Sequence, residues 1–167
     1  MPRETVWENV ASPLGLLTVL ASDNGVHAIA FESDQTEQAK INFPRAADHP
    51  IINAAVEQLA MYFEGTLKVF DLPLDLRGTD FQKQVWKLLL EIPFGQTRTY
   101  GDLARELGNA GASQAVGAAN GKNPVAIVVP CHRVIGASGH LTGYAGGMEK
   151  KRFLLTHEGA IQPMLFG

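Results

Sequence analysis

The first thirty residues of the chain contain short apolar runs separated by turn-forming residues. The runs are interrupted at Ser12-Pro13 and again at Asp23-Asn24-Gly25. An Asn-Gly pair between two apolar runs favours a tight β-hairpin, because both residues tolerate a positive φ. The pattern predicts two or three strands, with a hairpin turn at Asn24-Gly25.

A helix and a further strand are predicted in the rest of the first half. Residues 43–50 show no regular pattern and are expected to be irregular. Apolar residues recur at helical spacing over 51–63, and Gly65 follows as a stop signal. Over 69–76, apolar and polar residues alternate, which predicts a strand.

A boundary between two domains is predicted at Arg77-Gly78, where the alternating pattern ends and a helical pattern begins. The predicted domains are 1–77 and 78–167. The first combines strands with a helix and the second is mostly helical, so the fold class expected for the chain is α+β.

The second half begins with a well-marked helix. Thr79 and Gln82 form a T-x-x-Q capping box ahead of an apolar stripe over 81–92, and Pro93 with Gly95 ends the helix. The stripe is expected to belong to the core through Phe81, Val85, Trp86, Leu88, Leu89 and Ile92.

Two shorter helices are predicted over 100–108 and 112–120, joined by a turn that contains glycine. This arrangement is typical of a helix-turn-helix motif. The second of them is rich in alanine and glycine, whereas a helix that reads the DNA major groove normally presents Arg, Asn or Gln. A helix with such small side chains can fit into a DNA minor groove or pack tightly against another helix. The spacing of its residues does not distinguish between these two possibilities.

The single cysteine follows an apolar, mostly β-branched run over 125–129 that is expected to form a buried strand. Cys131 is flanked by His132 and Arg133. The thiolate is the nucleophilic form of cysteine, and cationic neighbours lower the pKa of a thiol. The hypothesis is therefore a reactive thiol at the end of a strand, and the alternative is a small buried apolar residue.

The charge of the chain is divided unevenly between its halves. The net charge is −3 over the whole sequence. Residues 1–78 contain five Lys/Arg and eleven Asp/Glu, a net of −6, whereas residues 79–167 contain nine and six, a net of +3. The cysteine lies in the basic half, so a phosphate-facing surface is expected only there, with modest and salt-sensitive affinity.

The composition indicates a protein of a reducing compartment. A single cysteine permits no internal disulfide. The first fifteen residues lack a basic region followed by an apolar core, and no apolar stretch approaches transmembrane length. We expect a cytoplasmic or nucleoid-associated protein that does not engage a membrane.

Several separated motifs resemble one protein family. PCHRVIG, which begins at Pro130, is preceded by AVGAANGKNPVAIVV and followed by TGYAGG and LLTHEG. Together they are similar to the O6-alkylguanine-DNA alkyltransferases, nearest to the bacterial constitutive form. The likeness spans 79–159, while the first half is similar only in length and coarse pattern. It implies a ribonuclease H-like α/β first domain and a mostly helical second domain with a winged-helix-like helix-turn-helix.

The resemblance implies irreversible transfer of an alkyl group from O6-alkylguanine in DNA to Cys131, with O4-alkylthymine left open as a second substrate. His132 would be the base and Glu158 the carboxylate that orients it. Neighbouring residues of an extended chain point to opposite sides, so a water is expected to bridge His132 and the thiol. Water does not hydrolyse a thioether as it does a thioester, so each molecule should act once and need no cofactor.

The same resemblance implies further site residues. Tyr100 would donate a proton or a hydrogen bond to the guanine ring. Asn123 would tie the recognition helix to the active-site loop. Tyr144 and Ala145 would line the substrate pocket, and the backbone carbonyls of Val134 and of the cysteine would accept from the guanine amino group.

The implied partner is double-stranded DNA with alkylated bases, bound by a monomer through the minor groove. A stacked base cannot reach a buried thiol, so the nucleotide must be flipped out. Gln114 stands where the family usually has an arginine that fills the resulting gap. The other residues expected to face DNA are Ser113, Ala115, Ala119, Asn120 and Lys122. The zinc-binding cysteines of some relatives are absent, so no metal is expected.

Three other functions remain open. A lesion-sensing DNA-binding protein would bind without transfer, although relatives of that kind replace the cysteine, usually by tryptophan. A Cys-His hydrolase of acyl substrates would need an oxyanion hole and would release product repeatedly. A helix-turn-helix regulator would not explain the PCHRVI motif and would normally dimerise.

Overall fold

The computed structural model describes residues 4–144 and 146–162. The chain divides into two compact units. The first comprises Met1–Arg77 together with the short segment Pro124–Ala126, and the second comprises Gly78–Asn123 and Ile127–Gly167. The fold is therefore of mixed α and β composition, with a small sheet in the first unit and a mostly helical second unit.

The first unit contains three strands, β1 (Val6–Val10), β2 (Leu17–Ser22) and β3 (Gly25–Phe31). They form an antiparallel sheet in the order β1-β2-β3. The hairpin is confirmed, but Ser22 pairs with Gly25, so the two loop residues are Asp23 and Asn24. Gly25 has a φ of 143°, and a Cβ there would lie 2.8 Å from the Pro73 carbonyl oxygen. Only glycine fits this approach.

Two helices complete the first unit, and the sequence patterns found one of them. The predicted helix over 51–63 is α2 (Pro50–Glu64), which ends at Gly65 with a φ of 84°. The helix α1 (Asp34–Asn42) had no prediction, because it has no apolar stripe. Its signal is local instead, since Ser33 and Thr36 cap each other reciprocally.

The strand predicted over 69–76 is wrong. The segment is irregular and makes a single isolated bridge, between Leu74 and Val26. Pro73 has no backbone N–H with which to extend a ladder. The side-chain amide of Gln58 also binds both the N–H and the carbonyl of Asp71, which replaces pairing with a strand.

The second unit is built from four helices and one short parallel strand pair among its described residues. They are α3 (Asp80–Leu90), β4 (Arg98–Thr99), α4 (Tyr100–Glu106), α5 (Ser113–Gly121), β5 (Val134–Ile135) and α6 (Met148–His157). The capping box of Thr79 and Gln82 is confirmed at the start of α3. A second box, of Thr99 and Asp102, begins α4.

The predicted core stripe of α3 is confirmed in its central part. Val85, Trp86 and Leu89 are buried, as is Ile92 just beyond the helix. The indole Nε1 of Trp86 donates a hydrogen bond of 2.8 Å to the carbonyl of Ala119, which joins α3 to α5. No helix within the described residues has the length and apolar character needed to cross a membrane.

The strand predicted over 125–129 is also wrong. The residues are largely buried, but Ile127 has a φ of 73°, which is incompatible with a continuing strand and unusual for a β-branched residue. Pro130 then adopts φ −83° and ψ 65°, an inverse γ-turn that brings the Cys131 N–H to the Val129 carbonyl. The cysteine therefore begins the 3₁₀ turn Cys131–Arg133 instead of ending a strand.

Candidate active site around Cys131

The thiol of Cys131 is nearly buried, with 7% of the residue exposed. Burial raises the pKa of the thiol, and a hydrogen bond from the Asn123 side chain and the charge of Lys151 oppose that rise. The sequence predicted that His132 and Arg133 would stabilise the thiolate. This prediction is wrong, because the side chains that do so are those of Asn123 and Lys151. Sequence neighbours on a tight turn point to different surroundings, so the groups that favour the thiolate come from elsewhere in the fold.

His132 is fully buried and is bound by Glu158 at the end of α6. The distance from His132 Nε2 to Glu158 Oε2 is 2.8 Å. Burial lowers the pKa of His132, and its contact with Glu158 only partly reverses this effect. The ring is therefore neutral near pH 7, and the carboxylate places its proton on Nε2.

The other ring nitrogen of His132 is oriented for a proton transfer. Nδ1 is buried and has no hydrogen-bond partner among the described residues. In the tautomer fixed by Glu158, Nδ1 carries a lone pair and is the basic atom of the ring. A buried acceptor without a protein partner is a position that a bridging water can occupy.

Glu158 is held in its charged form by two basic side chains. Burial alone would raise the pKa of its carboxyl, but hydrogen bonds from His132 and Arg133 outweigh burial and hold this pKa at about 2. Arg133 donates from Nε to Oε1 at 2.8 Å and from Nη2 to Oε2 at 2.9 Å. Its Nη1 donates to the Ile92 carbonyl at 2.6 Å. Arg133 therefore fixes the orientation of the carboxylate that orients His132.

Two asparagines join the end of α5 to the turn that carries the thiol. Asn123 Nδ2 donates to the Val129 carbonyl at 2.7 Å, two residues before Cys131. Asn120 Nδ2 approaches the Cys131 carbonyl at 3.4 Å, and Asn120 Oδ1 has no partner among the described residues. The structure thus places Asn123 where it links the helix to the cysteine turn.

Lys151 is the functional candidate that the sequence analysis missed. The residue lies on α6 and is 0% exposed. Its Nζ donates to the Val134 carbonyl at 2.6 Å and to the Thr142 carbonyl at 2.7 Å. Burial lowers the pKa of Lys151 to about 8, and the Cys131 thiolate opposes this fall. A buried ammonium therefore lies close enough to influence the thiol and also fixes the loop that follows β5.

The sequence contains a signal that Lys151 is buried, but the charged residues around Lys151 mask this signal. It lies in a run of charged residues, EKKR, which is typical of a solvated helix face. Three and four residues later come Leu154 and Leu155, which are fully buried. Residues at these spacings share a helix face, so the periodicity places Lys151 on the inner side of α6.

Tyr100 and Tyr144 differ in their surroundings. Tyr100 is the first residue of α4, and a Cβ on Gly117 of α5 would lie 3.7 Å from its ring. Its hydroxyl accepts a hydrogen bond of 3.1 Å from Thr142 Oγ1. Burial and the charges of Cys131 and Glu158 raise the pKa of the Tyr144 hydroxyl well above its ordinary value, so this group stays protonated. Ala145 lies outside the described residues.

The two carbonyls expected to accept from guanine already have donors. The Cys131 carbonyl accepts from the Val134 N–H and, weakly, from Asn120. The Val134 carbonyl accepts from Lys151. A carbonyl oxygen has two lone pairs, so the Val134 carbonyl keeps one for a further donor.

The residues expected to face DNA divide into exposed and buried groups. Gln114, Ala115 and Lys122 are exposed, and Ser113 is half-buried. Ala119 and Asn120 are buried on the inner face of α5, where they contact Trp86 and the cysteine turn. The prediction that these two residues face DNA is therefore wrong. A helix made of small residues still has one face that packs against the rest of the domain.

Residues 4–144 and 146–162 contain no group of three or more His, Cys, Asp or Glu side chains arranged to hold a metal ion. A neutral imidazole with an oriented lone pair, a buried thiol and a buried ammonium form a set that can generate and use a thiolate.

Two family models match the chain and between them span most of it. The model described as "6-O-methylguanine DNA methyltransferase, ribonuclease-like domain" matches residues 5–76. The model described as "6-O-methylguanine DNA methyltransferase, DNA binding domain" matches residues 80–160.

Named relatives cover most of the chain. A methylated-DNA–protein-cysteine methyltransferase of Mycobacterium tuberculosis is 48% identical over 157 residues, which is 94% of each chain. A protein of the same name from Methanosarcina acetivorans is 48% identical over 151 residues, 89% of this chain and 95% of the relative.

Solved structures agree with these matches. The crystal structure of Mycobacterium tuberculosis O6-methylguanine methyltransferase superposes with a TM-score of 0.85 at 46% identity and covers 95% of both chains. The crystal structure of Mycobacterium tuberculosis OGT in complex with DNA has a TM-score of 0.83 at 47% identity and covers 92% of both chains.

Proposed function

Because the chain belongs to the 6-O-methylguanine DNA methyltransferase family, we propose that it repairs DNA by moving the alkyl group of an O6-alkylguanine onto Cys131. The observation that carries the proposal is the neutral, buried His132 held by Glu158, with the lone pair of Nδ1 available beside a cysteine turn. The second unit would supply both DNA binding and the alkyl acceptor, and the first would support it. One chain contains the whole set of residues, so the protein is proposed to act as a monomer.

The proposed transfer begins with the removal of the thiol proton. His132 Nδ1 accepts this proton through one bridging water, and Glu158 stabilises the imidazolium that results. The charge of Lys151 and the amide of Asn123 favour the thiolate against the effect of burial. The thiolate sulfur then attacks the alkyl carbon and forms an S–C bond.

The breaking C–O6 bond leaves its electron pair on guanine. Tyr100 donates a proton to the guanine ring, so that guanine leaves as a neutral base. Tyr100 then regains a proton from solvent and the His132 imidazolium releases the thiol proton to solvent, so the proton lost by the thiol balances the proton gained by guanine. The product on Cys131 is a thioether, which has no route back to a thiol in this site, so the reaction is stoichiometric and requires no cofactor.

DNA is the partner, and the burial of the thiol determines how DNA must be bound. A base stacked in a duplex cannot reach a cysteine that is 7% exposed, so the lesion must be flipped out of the helix. Apart from Gln114, the exposed part of α5 carries small side chains such as Ala115, which suit a narrow minor groove. The net charge of +3 over 79–167 is on the half that contains this helix.

Gln114 is predicted to make DNA binding weaker and less dependent on salt than an arginine would. The variant Gln114→Arg adds one positive charge on the exposed face of α5. If that charge neutralises one phosphate, the slope of log affinity against log salt should steepen by about 0.9. The measurement is a fluorescence titration of lesion duplex at several salt concentrations. Gln84→Arg, the same change on the exposed face of α3, is the matched control, and identical slopes for the wild type and Gln114→Arg would contradict the prediction.

The proposed function is tested by following the mass of the intact protein during incubation with a duplex that carries one O6-methylguanine. The expected result is a gain of one methyl group per chain, located on the Cys131 peptide and absent in Cys131→Ser. Tight lesion binding without a gain in mass would indicate a non-catalytic damage sensor instead. Repeated cleavage of a small acyl ester would indicate a hydrolase.

A further inference from the structure

Thr142 is fixed by three separate contacts in the loop between β5 and α6. Its hydroxyl Oγ1 lies 3.1 Å from the Tyr100 hydroxyl, and its carbonyl accepts from Lys151 Nζ at 2.7 Å. Its methyl group occupies the space above Gly136, where an added Cβ would lie 3.2 Å from Thr142 Cγ2. The backbone, the methyl group and the hydroxyl of Thr142 are thus each held by a different part of the second unit.

These constraints fix the orientation of the Thr142 hydroxyl group. A β-branched side chain has few χ1 rotamers, and fixing the backbone and the methyl group selects among them. The 3.1 Å contact allows Thr142 to donate a hydrogen bond to the phenolic oxygen of Tyr100. When that oxygen accepts from Thr142, the single proton of Tyr100 remains available to another acceptor.

We propose that Thr142 is a positioning residue for Tyr100 in the transfer reaction. Its hydroxyl directs the Tyr100 proton toward the guanine ring and donates to the phenolic oxygen while that oxygen becomes negative. Hydrogen bonds to a charged oxygen are stronger than those to a neutral one, so the contact strengthens as the proton leaves. The inference rests on the proposed alkyl transfer and extends it to a residue outside the Cys-His-Glu set.

A purely structural role for the Thr142 hydroxyl would give a different result. The ring of Tyr100 already packs beside Gly117, and its backbone begins a capped helix, so its placement does not depend on Thr142. Thr142 is exposed, and an exposed hydrogen bond between neutral groups contributes little to folding. Loss of the hydroxyl should therefore alter the rate of transfer more than the stability of the fold.

The test compares Thr142→Val, which keeps the shape and removes the hydroxyl, with Thr142→Ser, which keeps the hydroxyl. Each is made in the full-length wild type and in Tyr100→Phe. Single-turnover methyl transfer from an O6-methylguanine duplex and the Kd for that duplex are measured for every variant. We expect Thr142→Val to slow transfer about tenfold with an unchanged Kd, and Thr142→Ser to restore most of the rate.

The decisive comparison is between the two backgrounds. If Thr142 acts through the phenolic oxygen, Thr142→Val should cause no further loss in Tyr100→Phe. An equal loss in both backgrounds, or a loss that appears only in Kd, would overturn the role assigned to Thr142 while leaving the transfer activity established. Absence of transfer by the wild type would overturn the proposed function itself, and the role of Thr142 with it.

Discussion

Replacement of His132 by glutamine is expected to slow alkyl transfer by roughly a thousandfold, a loss within the range attributed to general bases. Glutamine has a similar length, and its amide N–H can still donate to Glu158. Its amide oxygen has no useful basicity, so nothing in the site would remove the thiol proton. Burial raises the pKa of the Cys131 thiol, which makes the thiolate scarce without a base.

The measurement is the single-turnover rate of methyl transfer to the protein, followed by intact mass at saturating lesion duplex. The matched control is His157→Gln, the same change at the end of α6, where the ring stacks on Phe153 outside the site. That control should transfer at the wild-type rate. A loss smaller than about tenfold in His132→Gln would show that the imidazole is not the base of this reaction.

The dependence of the rate on pH adds an independent check on His132. The pKa of His132 is lowered below the ordinary value of 6.5, so the wild-type ring is neutral at and above that pH, and the acidic fall in the rate should come only below it. In His132→Gln, the thiolate must form without the base. Its residual rate should therefore rise steadily with pH through the neutral range. Parallel profiles for the two proteins would exclude the proposed proton transfer.

Replacement of Lys151 by methionine is expected to slow transfer by about a hundredfold, comparable to the loss of one preorganised electrostatic group. The variant removes a positive charge that favours the Cys131 thiolate. It also frees the carbonyls of Val134 and Thr142, which shape the loop beside Tyr100. The wild-type rate should in turn fall above about pH 8, where Lys151 loses its charge.

The stability of Lys151→Met distinguishes a chemical role from a structural one. Burial lowers the pKa of Lys151 from 10.5 to about 8, so at neutral pH the desolvation of its ammonium opposes folding. Removing the ammonium relieves this cost but leaves two acceptors without a donor, at about 1–3 kcal/mol each. Because these two effects oppose each other, the free energy of unfolding, measured by urea denaturation, should change little enough for the variant to remain folded. Lys150→Met is the control, and an unfolded Lys151→Met protein would contradict the expectation.

Local signals predicted the elements that depend on residues close in sequence. The capping box of Thr79 and Gln82 and the helix that it begins needed only residues three positions apart. The hairpin at Asp23-Asn24 needed only a turn between two apolar runs. Such signals involve residues within one turn of backbone, so the local sequence contains all the information that they need.

The two wrong strands show where a pattern of apolar residues is insufficient. An apolar run indicates burial, and residues 125–129 are indeed largely buried. Burial does not specify pairing, however, and Ile127 in a left-handed conformation and Pro73 without an N–H prevent a ladder in each case. Whether a buried segment becomes a strand depends on a partner that lies far away in the sequence.

The motifs PCHRVIG and LLTHEG keep the order and spacing of a family, so the sequence by itself was sufficient to identify Cys131, His132 and Glu158 as candidates for the reactive group, but it made no prediction for Lys151. What each of these residues contacts depends on the tertiary structure. Arg133 binds Glu158 and not the adjacent thiol, and Lys151 reaches the carbonyls of Val134 and Thr142 from inside α6. The reason is physical: protonation and charge depend on burial and on every neighbour in space, and a tight turn directs covalent neighbours such as Cys131 and Arg133 into different surroundings.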